Sequence, residues 1–217
     1  MKRPHRIAWP SLATTLLAGA MVASANGVAA ETNRFMPLTS PTEAPEGFVE
    51  FCTRFPVDCR QSGAASRAVV LTNARWLELV EVNRRINAMI EPTTDEAFYG
   101  REEFWTFPQT AGDCEDYVLL KRHELIEKGW PSSVLLITVV RDEHGEGHAV
   151  LSVGTDRGDL ILDNRTNVVL PWINTPYHYV KRQGVGDPRG WVRVLDMRTT
   201  TAVGSIRPRD ADTLPHD

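Results

Sequence analysis

The hydrophobic periodicity of the 217-residue chain changes once, from a helical repeat to a strand-like one, close to residue 130. Between residues 67 and 91 the apolar side chains recur at spacings of three and four, which predicts one long helix. A second helix is predicted from about Asp113 to about Lys128, where Gly129 stops it. The residues between the two helices, 92–112, are predicted to form a loop-rich connection.

Beyond residue 130 the apolar residues alternate with polar ones or form continuous β-branched runs, as they do in strands. Four strands are predicted, at residues 134–140, 148–153, 160–163 and 191–195. Glycine and aspartate between the second and third favour a tight turn, so we expect these two strands to form an antiparallel hairpin. Helices that precede the strands, rather than alternate with them, predict an α+β domain in which helices pack on an antiparallel sheet.

The first thirty residues have the composition of a signal peptide. Three basic residues precede a mostly apolar run over residues 7–23, and small residues ending at Ala30 follow that run. A membrane anchor is the alternative, which Pro10 and the small side chains of the run disfavour. We therefore expect residues 1–30 to be cleaved and the mature protein to be periplasmic.

The mature chain is expected to hold one domain, residues 48–197, between a flexible lead-in at residues 31–47 and a disordered tail at residues 198–217. Cleavage of the signal peptide removes three of the 24 basic residues and none of the 28 acidic ones, so the working protein is acidic. No block of basic residues interrupts the sequence, which argues against a nucleic-acid partner.

The chain has three cysteines, and export would bring them into an oxidising compartment. Cys52 and Cys59 lie close together in CTRFPVDC, where Pro56 can bend the chain, so they are the expected disulfide. Cys114 is left without a partner. A thiol of this kind is buried and inert, joined to another chain, or kept free for chemistry, and its surroundings decide which.

Cys114 stands in the segment AGDCEDY, at the predicted start of the second helix. With Asp113 as the N-cap residue, Cys114 occupies the first helical position, where backbone N–H groups and the positive end of the helix dipole favour a thiolate. A buried structural cysteine is the alternative.

His148 and Asp163 are the candidates for a general base and the acid that orients it. In the predicted hairpin His148 begins one strand and Asp163 ends the next, so their side chains are expected to lie nearly opposite each other. Taken singly, a histidine such as His148 is more often an ordinary strand residue, and an aspartate such as Asp163 more often begins a turn. Together with Cys114, they supply the nucleophile, base and orienting acid of acyl transfer.

Five segments resemble the bacterial transglutaminase-like cysteine proteinases: FVEFCTRFPVDC, VNRRINAMI, FWTFPQTAGDCEDYVLLKRHELIEKGWP, GHAVLSV and GDLILDNRTNVVLPW. Together they cover most of residues 48–173. The resemblance implies a papain-like, transglutaminase-type α+β core and a catalytic triad of Cys114, His148 and Asp163. It also implies a cysteine protease that cleaves a protein substrate such as a surface adhesin in biofilm dispersal, under the control of an inner-membrane receptor that responds to cyclic di-GMP.

The resemblance further implies calcium binding by the acidic residues that flank the nucleophile, Asp113 and Glu115. Together with Asp116, these acids would raise the pKa of the thiol, and a hard cation held by their oxygens would oppose that effect. The alternative is that the acids only cap the helix and complement its dipole. No organic cofactor is expected.

An oxyanion hole would complete the chemistry. The candidates are the backbone N–H of Cys114 and a side-chain donor from Gln109 or Trp105, although Gln109 is also explained as a plain loop residue. The expected reaction is hydrolysis of a peptide bond through an acyl-enzyme. Two alternatives stay open: acyl transfer to an amine by the same triad, as in a transglutaminase, and a non-catalytic binding module.

Overall fold

The computed structural model describes residues 34–198. The helices in this range are α1 (Glu46–Arg54), α2 (Asn73–Met89), α3 (Asp95–Tyr99) and α4 (Cys114–Glu127). Its strands are β1 (Leu38–Thr42), β2 (Glu91–Pro92), β3 (Ala111–Gly112), β4 (Leu135–Arg141), β5 (Gly147–Thr155), β6 (Gly158–Leu162), β7 (Leu170–Pro171), β8 (His178–Gln183) and β9 (Trp191–Val194). No described helix is long and apolar enough to cross a membrane, and the predicted signal peptide lies outside the described residues.

Seven of these strands form one sheet, in the order β1-β9-β8-β4-β5-β6-β7, and every neighbouring pair in it is antiparallel. Strands β2 and β3 form a separate parallel pair. β5 and β6 make the predicted hairpin, in which Thr155 pairs with Gly158 around a two-residue turn. Gly158 has a backbone φ of 118°, which residues with a Cβ rarely adopt. The predicted α+β fold with an antiparallel sheet is confirmed.

The sheet has a hydrophobic core on each face. Helices α2 and α4 pack on one face, where Leu79, Val118 and Leu151 are among the buried residues that join helices to strands. The opposite face carries a smaller core: Met36, Val140, Val150, Ile161, Trp172, Tyr177, Tyr179 and Val194. Side chains alternate between the two faces along β5, because Val150 lies in one core while Ala149 and Leu151 lie in the other.

The first long helix is shorter than predicted. It begins at Asn73 rather than at residue 67, because the Thr72 hydroxyl caps it by accepting from the Arg75 N–H at 3.3 Å. The residues before it are extended, and the Val69 N–H donates to the Gly154 carbonyl oxygen at 3.1 Å beside β5. The connection predicted as loop-rich contains α3, β2 and β3.

The lead-in predicted as flexible at residues 31–47 contains a strand. Residues Leu38–Thr42 form β1, which pairs with β9 at the edge of the sheet. An edge strand tolerates Pro41, because one side of it has no ladder partner. At the other end, the first residue of the predicted tail, Arg198, donates to the Tyr177 carbonyl oxygen at 2.6 Å. The rest of that tail lies outside the described residues.

The predicted disulfide is confirmed: Cys52 and Cys59 are bonded and close the loop that follows α1. Arg122 of α4 holds this loop by donating to the Asp58 carbonyl oxygen at 2.9 Å. Cys114 is the free cysteine of the described residues, as predicted.

Candidate active site

Cys114 occupies the first position of α4, as its sequence context predicts. The Asp113 carboxylate caps this helix by accepting from the Asp116 N–H at 3.5 Å. The half-buried thiol donates to Glu115 Oε2 at 3.0 Å, and the Ala149 N–H on β5 also bonds to the sulfur. The nucleophile candidate therefore lies against the strand that carries His148, at the residue that follows it.

The surroundings of the Cys114 thiol disfavour its ionisation. Burial raises its pKa well above the ordinary value, and the negative charge of Glu115 raises it further. The Ala149 N–H acts in the opposite direction, because it stabilises the thiolate. The acids around Cys114 thus have the effect predicted for them, and they add to the larger effect of burial.

His148 and Asp163 form a buried pair. His148 Nε2 lies 2.9 Å from Asp163 Oδ1, and both side chains are almost fully buried. Asp163 directly follows Leu162, which pairs with Leu151, so the acid falls opposite Val150 and reaches His148 diagonally. The two side chains are therefore diagonal neighbours, which is close to the nearly opposite arrangement predicted from the hairpin.

Asp163 is held ionised by three donors. Burial alone would raise its pKa, but hydrogen bonds from His148 and Tyr177, and the positive charge of His148 when it is protonated, lower it below the ordinary value. The Tyr177 hydroxyl donates to Asp163 Oδ2, and the Arg165 N–H donates to Oδ1 at 3.1 Å. The Tyr177 ring also packs beside the His148 imidazole, with 5.2 Å between ring centroids. The sequence offered no signal for Tyr177, because it follows a short turn outside any predicted element.

Among the described residues, no hydrogen bond joins Cys114 to His148. The thiol is bonded to Glu115, and the imidazole uses Nε2 for Asp163. His148 Nδ1 is therefore left to accept a proton, since a neutral imidazole that donates through one nitrogen accepts through the other.

A group of three carboxylates that could hold a metal ion lies beside Cys114. Asp95, Asp113 and Asp116 each offer an oxygen, and these oxygens lie within 4.8 Å of one another. Asp113 and Asp116 come from the start of α4, and Asp95 is the first residue of α3. Gly112 makes room for the group, because a Cβ there would come within 2.6 Å of Asp116 Oδ2.

The three carboxylates are crowded and incompletely bonded. Asp116 Oδ1 accepts from the Thr106 N–H at 2.8 Å, but Asp116 Oδ2 and Asp95 Oδ1 are buried without a hydrogen-bond partner among the described residues. Burial, followed by the charge of Glu115, raises the pKa of Asp113 to about 9. Burial raises the pKa of Asp116 to about 7. A cation at this point would relieve both the burial cost and the mutual repulsion.

This group differs from the pair of ligands predicted from the sequence. Asp113 belongs to it, but the Glu115 carboxylate accepts from the Cys114 thiol instead. Asp116, which lies outside the predicted pair of ligands, is a member, and so is Asp95. Asp95 lies far from the nucleophile in the sequence, so only the fold reveals its position.

The side-chain oxyanion donors predicted from the sequence make no hydrogen bond to Cys114 among the described residues. Gln109 lies exposed in a bend before β3 and makes no side-chain hydrogen bond to the described residues. Trp105 is buried, and its indole N–H donates to Glu103 Oε2 at 2.9 Å. The backbone N–H of Cys114 remains available, because the first N–H groups of a helix have no acceptor within it.

The sequence profile of the bacterial transglutaminase-like cysteine proteinases (BTLCP) matches residues 38–199. The chain belongs to this family. The match includes α4, the β5–β6 hairpin and the acidic group. The chain is thus a member of a cysteine peptidase family, as its motifs predict.

The chain is also similar to solved structures of LapG from Legionella pneumophila. One is 28% identical and is matched over 50% of this chain and 63% of that chain, with a TM-score of 0.45. An EGTA-treated form is 28% identical over 49% of this chain and 62% of that chain, with a TM-score of 0.44. A calcium-bound form is 24% identical over 59% and 73%, with a TM-score of 0.47. This chain spans less than two thirds of the first two structures. Comparison with curated proteins finds no significant match.

Proposed function

We propose that this protein is a cysteine endopeptidase whose triad is Cys114, His148 and Asp163. The observation that carries the proposal is the buried His148–Asp163 pair, in which His148 directly precedes Ala149, the residue whose N–H bonds to the Cys114 sulfur. Membership of a cysteine proteinase family supports the same reaction class.

In the proposed reaction, His148 Nδ1 accepts the thiol proton and the thiolate attacks the carbonyl carbon of a peptide bond. His148 then gives this proton to the leaving amine as the C–N bond breaks, which leaves a thioester on Cys114. A water molecule deprotonated by His148 attacks the thioester, releases the new carboxylate and returns the thiol. Asp163 and Tyr177 hold the imidazole in place, and the Cys114 N–H donates to the developing oxyanion.

We also propose that the protein is calcium-dependent, with Asp95, Asp113 and Asp116 as ligands. Three buried carboxylates suit a hard cation, and two of their oxygens have no other partner among the described residues. Bound calcium would supply positive charge beside the thiol and so favour the thiolate. Backbone carbonyl oxygens and water would complete the coordination, because three carboxylates are fewer than the ligands that calcium takes.

The proposal extends to place and partners. The predicted signal peptide supports action in the periplasm on an exported protein, for which a surface adhesin is our candidate. Control by an inner-membrane receptor that responds to cyclic di-GMP rests on the family resemblance alone.

The test is to incubate the mature chain with exported proteins of its source cells, and to label newly formed protein N-termini for mass spectrometry. A fluorescent primary amine is included, because a transglutaminase would attach it to acceptor proteins. We expect new N-termini with wild type plus calcium, and none with Cys114→Ala or His148→Ala. Amine incorporation without cleavage would identify a transglutaminase instead. Equal results for wild type and Cys114→Ala would identify a non-catalytic module.

A further inference from the structure

Two asparagines of α2 bind the loop that carries Asp163. Asn87, which is partly buried, has its Nδ2 2.9 Å from the Asp163 carbonyl oxygen and 3.1 Å from the Thr166 carbonyl oxygen. Asn83, one turn earlier and fully buried, donates from Nδ2 to the same Thr166 oxygen at 2.9 Å. We call Asn83 and Asn87 the amide clamp.

The amide clamp bonds to the chain just beyond the end of a strand, where hydrogen bonds within the sheet stop. Strand β6 ends at Leu162, and pairing resumes only at Leu170 in β7. Asp163 is therefore the first residue beyond the β5–β6 ladder, and its own carbonyl oxygen is bonded by α2. On its solvent side, the loop is bonded through Arg165 to Asp142 at 2.8 Å.

The amide clamp is costly for stability. Asn83 Oδ1 and Asn87 Oδ1 are buried and have no hydrogen-bond partner among the described residues. Burying an unbonded amide oxygen is unfavourable, and an apolar side chain on this helix face would avoid that cost. The amides are therefore better explained by what their N–H groups hold than by helix packing.

We propose that the amide clamp is a positioning device for the triad, with Asn87 as its principal residue. By fixing the Asp163 carbonyl, Asn87 fixes the backbone from which the carboxylate reaches His148 Nε2. The imidazole is thereby kept in the tautomer that has its proton on Nε2 and leaves Nδ1 free to accept a proton. This role rests on the proposed function, since it assumes that His148 is the catalytic base.

The test uses Asn87→Asp, which keeps the shape of the side chain but removes its two N–H donors. We expect kcat to fall about tenfold while KM changes less than about twofold, because orientation of the base is lost and substrate binding is not. In ¹⁵N NMR spectra, His148 should change from one tautomer, protonated on Nε2, to a mixture. Asn73→Asp is the matched control, since it makes the same change at the exposed start of the same helix.

Thermal unfolding of each variant shows whether it is folded, and Asn87→Ala replaces Asn87→Asp if the charged variant is not. A folded variant with unchanged kcat and an unchanged His148 tautomer would overturn the positioning role. The NMR measurement needs no substrate. If wild type cleaves nothing but shows the single tautomer that Asn87→Asp loses, the proposed function fails while the positioning of His148 stands.

Discussion

Replacing Asp116 with asparagine should stabilise the folded protein at alkaline pH and have little effect at acidic pH. Asp116 is fully buried, one of its oxygens lacks a partner among the described residues, and burial raises its pKa from 3.8 to about 7. The folded state therefore keeps a proton that the unfolded chain has already released, and stability falls as pH rises from about 4 through 7. The amide of the Asp116→Asn variant would carry no such charge while keeping an oxygen for the Thr106 N–H.

The size of the effect follows from the pKa difference. At about 1.4 kcal/mol per pKa unit, the ionised Asp116 costs about 4 kcal/mol near pH 8, and only about 1 kcal/mol near pH 4.5. Its neighbour Asp113, with a pKa of about 9, remains partly protonated at pH 8 and limits the repulsion between them.

The assay is urea unfolding followed by tryptophan fluorescence, at about pH 4.5 and about pH 8, with EDTA present to remove metal ions. Glu127→Gln on the exposed side of the same helix is the matched control, because it removes one negative charge without relieving burial. A gain for Asp116→Asn that is equal at both pH values, or a loss of stability at pH 8, would refute the electrostatic reasoning.

Two further predictions concern buried charge. Calcium at about 1 mM should raise the melting temperature of wild type more at about pH 8 than at about pH 6, because protons compete with calcium for the carboxylates. The Asp113→Asn variant should lose most of that rise. Equal rises in wild type and Asp113→Asn would contradict the proposed calcium site. Lys121 is fully buried with no hydrogen bond to the described residues, which lowers its pKa to about 7, so its contribution to wild-type stability should rise between about pH 7 and pH 10. Lys121→Met should remove this rise and stabilise the protein below pH 7 by on the order of 4 kcal/mol, measured by urea unfolding, whereas a destabilised variant would show that the ammonium is paired.

Parts of the fold with strong local signals could be predicted from the sequence. The bounds of α4 match the prediction to within a residue at each end, because Asp113 is a good N-cap and Gly129 follows the last turn. The β5–β6 hairpin was equally accessible, since its turn chemistry separates two apolar runs. Strand β8 was missed because its sequence, HYVKRQ, is largely polar, and its place in the sheet depends on pairing with β4 and β9.

The residues of the candidate site also fall into two groups: those that could be predicted from the sequence and those that only the fold brings to the site. Cys114, His148 and Asp163 could be proposed from the sequence because each stands at a recognisable end of a helix or strand. Asp95 and Tyr177 could not, because each reaches the site from a segment whose position only the tertiary fold defines. The role of Glu115 as acceptor for the thiol likewise depends on side-chain orientation, which the sequence does not specify.

The most direct test of the central claim is the rate at which iodoacetamide alkylates Cys114, measured by peptide mass spectrometry at about neutral pH with calcium and with EDTA. We predict rapid alkylation with calcium, slower alkylation with EDTA because the surrounding acids then oppose the thiolate, and at least about a tenfold loss of rate in His148→Ala. Equal rates for wild type and His148→Ala, both folded and with calcium present, would show that His148 does not activate Cys114 and would contradict the proposed triad.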